Sequence, residues 1–98
     1  MQIKVNFRNM KPSNALRDYA LKRTAKISKL LIKPESGEVL LEEVKELHIA
    51  KLTLHANGEI FTGKHEDEDM YAAIDLVSDK VERQARRYKE KLTNHRPR

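Results

Sequence analysis

Asn57-Gly58 lies between two runs that alternate apolar and polar residues, and this arrangement constrains the fold more than any other stretch of the chain. Before it, Ala50, Leu52, Leu54 and Ala56 alternate with Lys51, Thr53 and His55. Asn-Gly is a strong hairpin signal because both positions of the tight turn need a positive φ. A two-residue loop pairs Ala56 with Glu59, Leu54 with Phe61 and Leu52 with Gly63. Leu54 and Phe61 then share the core face, with His55/Ile60 and Lys51/Lys64 on the other. Two lysines directly opposite repel, so that second face is left to water or to an anionic partner.

The rest of the chain reads as elements that can cover such a sheet. Ile3, Val5 and Phe7 alternate with Gln2, Lys4, Asn6 and Arg8, the period of a half-buried strand. Pro12-Ser13 stops it and opens a helix with Ser13 as N-cap. Leu16, Ala20, Ile27, Leu30 and Leu31 fall on one side of that helix, which ends before Pro34; Pro34 to Gly37 is a turn cluster. Residues 38–47 fit two patterns: Leu40, Leu41, Val44 and Leu47 have helical spacing, whereas Val39-Leu40-Leu41 could begin a strand. Glu42-Glu43 spoils the alternation, so periodicity leans towards helix. The acidic run Glu66 to Asp69 leads into a last helix, complements its dipole and supplies an aspartate cap. Met70, Ile74, Val77, Val81, Ala85, Tyr88 and Leu92 form its buried stripe. An antiparallel sheet with one apolar face is buried if both amphipathic helices pack on it. The expected division is one domain over 1–93 and a flexible basic tail over 94–98.

Several classes drop out on composition. No cysteine is present, which excludes a disulfide scaffold, a thiolate zinc site and a cysteine nucleophile. The longest apolar stretch, Leu30-Leu31-Ile32, is far short of a membrane span, and the N-terminus carries no signal-peptide pattern. The expectation is a soluble cytoplasmic domain with no membrane partner. Charge is partitioned along the chain. Residues 1–34 hold nine bases and one acid, a net of +8; residues 35–79 hold three bases and twelve acids, a net of −9. Residues 80–98 hold eight bases and two acids, a net of +6. Charge alone leaves two readings open, one strongly positive face or two ordinary solvated helix surfaces.

Helical spacing places Lys22, Lys26 and Lys29 within about 60° of arc, away from the apolar stripe of the first helix. Lys80, Arg83, Arg87 and Lys91 occupy about 80° of the second helix, beside its buried stripe. Arg86 points outward among Asp75, Asp79, Glu82 and Glu90, where pairing partly neutralises it. Unpaired cation rows on neighbouring helices suit a phosphate backbone, and side-by-side helices would converge them into one landing strip. Aromatics are only 5% of residues, and Tyr19, Tyr71 and Tyr88 read as core or core edge. Recognition by backbone and shape is expected, without stacking of single-stranded bases.

No constellation for catalysis or metal binding emerges. His48, His55 and His65 lack metal-ligand spacing, and the hairpin register puts His55 and His65 on opposite faces. Residues 66–69 lack the spaced oxygens and turn glycine of a calcium loop. Gly37, Gly58 and Gly63 form no phosphate loop, and Ser13, Ser28, Ser36 and Ser78 have no base at recognisable spacing. No cofactor, metal or catalytic residue is expected.

Asp69-Met70-Tyr71-Ala72-Ala73-Ile74-Asp75, then Asp79-Lys80, Arg83-Gln84 and a Lys-rich end, resembles the signature helix of the bacterial ribosome hibernation-promoting factor family, which includes the ribosome-associated inhibitor (protein Y). Arg8-Asn9, Ala15-Leu16-Arg17-Asp18-Tyr19 and Leu52-Thr53-Leu54-His55 before Asn57-Gly58 add to the resemblance, which runs to about Leu92. It implies an α+β fold of order β-α-β-β-β-α, similar to double-stranded-RNA-binding domains, with a four-stranded sheet and two helices on one face. Residues 39–46 are then an edge strand.

The resemblance further implies a non-enzymatic factor that occupies the mRNA and tRNA channel of the small ribosomal subunit and silences translation in stationary phase or stress. Carried over by position, the rRNA-binding residues are Lys22, Lys26, Lys80, Arg83, Arg87, Lys89 and Lys91, with Lys29 and Arg86 beside them. Glu42, Glu43 and Glu46 depart from the family's more apolar or basic strand. Ending at Arg98, the chain resembles the short form, which acts with a separate ribosome modulation factor and is expected to be a monomer off the ribosome; a truncated long form would read the same. Two other readings stand beside this one: a generic double-stranded-RNA binder, and a protein-interaction module of the sigma-modulator type using the acidic strand edge.

Overall fold

Alternation at the N-terminus yields β1 (Gln2–Arg8), whose Ile3, Val5 and Phe7 are half-buried while the residues between them are exposed. A computed structural model describes residues 1–93; the expected tail at 94–98 lies outside the described residues. Ser13 then caps α1 (Asn14–Ser28), its side chain accepting a hydrogen bond from Leu16 N at 3.2 Å. Ala20, Thr24 and Ile27 are the buried face of α1, and Thr24 satisfies its hydroxyl by donating to the Ala20 carbonyl at 2.8 Å. Leu31 is also buried, but from the turn that follows rather than from the helix.

Pro34 to Gly37, expected as a turn, instead start β2 (Pro34–Val44). Proline is tolerated at the first residue of a strand, where its missing N–H breaks no ladder. Residues 38–44 are therefore strand, against their local helical spacing and in line with the family resemblance. Val39 and Leu41, at 3% and 0% exposure, face the core, so the period that decides burial here is two. Lys45-Glu46 turns the chain into β3 (Leu47–Ala56), and Lys45 takes φ 57°. After Asn57-Gly58, with φ of 51° and 76°, comes β4 (Glu59–Asp67), in the register that the Asn-Gly loop requires.

The sheet order is β1-β2-β3-β4. The expected edge position of residues 39–46 is thus corrected: β2 is central. The excursion through α1 returns the chain beside β1, so β1 and β2 pair in parallel, and β3 then folds back antiparallel on the other side of β2. Edges fall to β1 and β4.

Asp69 caps α2 (Met70–Thr93), accepting from Tyr71 N at 3.0 Å. Met70, Ile74, Val77, Val81 and Ala85 are buried as the periodicity requires, joined by Ala73 and Ser78. Leu92 departs from the expected stripe at 41% exposure. The β3–β4 turn reaches only as far as Tyr88, whose hydroxyl accepts from Asn57 Nδ2 at 2.9 Å, so the last turn of α2 has no sheet beneath it. Two glycines let the helices settle. A Cβ at Gly37 would lie 2.8 Å from Leu54 Cδ2 and 3.5 Å from Thr24 Cγ2; one at Gly63 would lie 3.3 Å from Val77 Cγ2.

Candidate nucleic-acid interface

Helices α1 and α2 are joined by a polar seam. Tyr19 meets Tyr71 edge to face at 5.2 Å and donates its hydroxyl to the Asp75 carboxylate. One turn on, Arg23 places Nη2 2.8 Å from Asp79 Oδ1 and Nε 3.8 Å from Asp75 Oδ1. A step of four residues on α1 matches a step of four on α2, so the helices run side by side in the same direction. The hydrogen bond to Asp75, then burial, holds the Tyr19 phenol above its ordinary pKa.

Arg23 is the residue of this seam that sequence spacing did not single out. Sequence spacing offers Asp75 and Asp79 to Arg86, yet both acids face Arg23, and Arg86 pairs with Glu82 at 3.0 Å. Pairing within one helix is legible from spacing; pairing across helices depends on which faces meet.

The seam fixes where the predicted cations point. Lys22, Lys26 and Lys29 are exposed on the outer surface of α1 and, with Arg23, line one shallow hollow. On α2, the Lys80 stem passes over β4, with its Cδ 3.2 Å from where a Gly63 Cβ would be. Gln84 clasps the outer edge of β4, accepting from Thr62 N at 3.1 Å and donating to Thr62 O at 2.8 Å. These contacts turn the row of Lys80, Arg83, Arg87 and Lys91 towards the β4 side of α2, while Asp75, Asp79, Glu82 and Arg86 occupy the α1 side. Among the described residues, Lys22, Lys26, Lys29, Lys80, Arg83, Arg87 and Lys91 take part in no ion pair. Lys89 is exposed on α2 about 200° around the helix from Lys91.

Both rows thus share the outer helical layer, but they do not merge into the single strip that side-by-side helices would suggest. The row of ion-paired acids runs between them. The opposite sheet face is more nearly charge-balanced: exposed Lys51 and Lys64 sit directly opposite each other, with Glu42 and Glu66 in the next row beside Arg8 and Ile49.

The histidines do not converge. His55 pairs with Ile60 on the open face and His65 with Ala50 on the helix-covered face. His48 Nδ1 lies 2.9 Å from the Glu68 carbonyl and Nε2 lies 3.2 Å from Glu43 Oε2, tying the β2–β3 tip to the segment before α2. Among the described residues no group of three His, Asp or Glu could hold a metal ion, and no helix is long and apolar enough to cross a membrane. Tyr88 packs edge to face on Phe61 at 5.4 Å, as Tyr19 does on Tyr71; Tyr71, expected at the core or its edge, is instead 41% exposed, its inner edge covered by Tyr19.

With this geometry in view, similarity to known proteins can be placed on it. A family model described as sigma 54 modulation protein / S30EA ribosomal protein matches residues 3–93. A ribosome hibernation promoting factor from Salmonella typhimurium is 37% identical over 95 residues, covering 97% of this chain and 100% of that protein. Its counterpart in Escherichia coli K12 is 35% identical with the same coverage. Among solved structures, the Thermus thermophilus protein Y N-terminal domain has a TM-score of 0.81 at 31% identity, over 90% of this chain and 99% of that one. A ribosomal subunit interface protein from Coxiella burnetii also reaches 0.81, at 24% identity over 93% and 100%, and supports the fold alone.

Proposed function

The chain belongs to the sigma 54 modulation protein / S30EA ribosomal protein family, and from that premise we propose that it is a ribosome hibernation factor. Residues 1–93 form its ribosome-binding domain. Its target is rRNA of the small subunit, in the channel that otherwise holds mRNA and tRNA, and its effect under stress or in stationary phase is to silence translation. The action is occupancy: binding excludes the working ligands, and no bond is made or broken. Off the ribosome the protein is a cytoplasmic monomer, and on it a separate modulation factor completes the inactive state.

The observation that carries this reading is the pair of outward cation rows on the helical layer. Seven lysines and arginines that take part in no ion pair among the described residues are more than a solvated surface needs. Each gains most where a phosphate can displace a condensed counterion. Lys22, Lys26 and Lys29 supply one row and Lys80, Arg83, Arg87 and Lys91 the other, with Lys89 and the Glu82-paired Arg86 contributing less. Co-sedimentation with small subunits tests the assignment. Reversing Lys80→Glu, Arg83→Glu and Arg87→Glu together is expected to abolish it without unfolding the protein, since all three side chains are exposed. Retained binding would remove these residues from the site.

A further inference from the structure

The cation rows are divided by fixed carboxylates, and this division restricts what can use both rows at once. Asp75 is held by Tyr19 and by Arg23, Asp79 by Arg23, and Glu82 by Arg86. Three acids against two bases leave the seam slightly negative, whereas the α1 row carries three cations and the α2 row four. A phosphate strand passing from Lys22 or Lys26 to Arg83 must cross the seam of Asp79 and Glu82, where acids outnumber their paired bases. From this pattern we infer that the helical layer is a two-track polyanion surface: each row takes its own backbone segment, and the seam of Asp75, Asp79 and Glu82 rejects a single strand that would bridge them. The inference rests on the rRNA reading above and sharpens its specificity. A plain RNA duplex laid along one row leaves the other idle, while folded rRNA in a subunit presents separate backbone segments from different helices. Discrimination comes from a repulsive element as much as from attraction.

The test compares two variants of equal net charge. Asp79→Asn with Glu82→Gln turns the seam from a net −1 to +1 and leaves the Tyr19–Asp75–Arg23 contacts in place; Glu35→Gln with Glu46→Gln removes the same charge from exposed sites on β2 and the β2–β3 turn, outside both helices. Affinity for a plain RNA duplex is read by gel shift and affinity for small subunits by sedimentation. The seam variant is expected to bind duplex about threefold or more tighter than the charge-matched control, with no matching gain for subunits. Equal gains by the two variants, or parallel gains for duplex and subunits, would overturn the inference.

A second measurement avoids altering the seam. Lys22→Gln with Lys26→Gln should flatten the log–log salt slope for subunits by about 0.7–0.9 per lost contact, and leave the duplex slope nearly unchanged because the α2 row substitutes. An equal drop in both slopes means one shared track. Should the wild-type protein fail to sediment with subunits at all, the functional reading fails, and the duplex arm of the variant comparison still decides whether the seam repels.

Discussion

Lys45 holds a φ of 57° in the turn that joins two central strands, a conformation that disfavours side chains with a Cβ. Glycine there removes the clash, so Lys45→Gly is expected to raise stability by about 1 kcal/mol, read as an increase in the urea midpoint at unchanged slope. The same residue explains why 38–47 read as helix. The β3–β4 hairpin announces itself through Asn57-Gly58, but the β2–β3 turn is made by Lys45-Glu46, which carries no turn signal, and Glu42-Glu43 blurs the alternation of the strand before it. Tyr19 gives a second prediction at this scale. Its raised pKa means that the folded state favours the protonated phenol. The stabilisation is therefore fully present below the ordinary tyrosine range near pH 10 and is lost as pH rises through the higher folded value. Tyr19→Phe should cost about 1 kcal/mol at neutral pH, and the gap between variant and wild type should close in alkaline unfolding curves. A gap that stays constant to high pH would detach the Asp75 hydrogen bond from stability.

At the scale of elements, what positions the α2 cation row is the close seat of the helix on β4. Gly63 faces Lys80 Cδ at 3.2 Å, Val77 Cγ2 at 3.3 Å and Val81 Cγ2 at 3.4 Å, measured from where its Cβ would be. Gly63→Ala is expected to lift α2 slightly and cost about 1–3 kcal/mol, visible as a lower thermal midpoint. An unchanged midpoint would mean the layers have slack that the contacts do not suggest. Elements with strong local signals were readable from sequence: both helices, the capping by Ser13 and by an aspartate of the acidic run, which the structure identifies as Asp69, and the β3–β4 register. The order of strands was not, because periodicity reports which face of a strand is buried and nothing about which strand lies beside it. That is why β2 read as an edge although it is flanked by β1 and β3. Leu92 fails for a related reason: its heptad position is apolar, but the sheet stops short of it.

At the scale of the whole molecule, the segment charges become a surface. The basic residues of α1 and α2 meet in one helical layer because the two helices pack side by side over the same sheet face. The helical wheel gave each row its own direction; the interhelical pairing of Arg23 with Asp75 and Asp79, which divides the rows, needed the packed pair. If those rows carry the binding energy, affinity must track counterion release. The most direct test is the salt dependence of small-subunit affinity for the wild-type protein. Seven contacts at about 0.7 each predict a log–log slope of about −5, falling by about 2 when Lys80, Arg83 and Arg87 are replaced by glutamine. A slope near zero, or one that the replacements leave unchanged, would contradict the account.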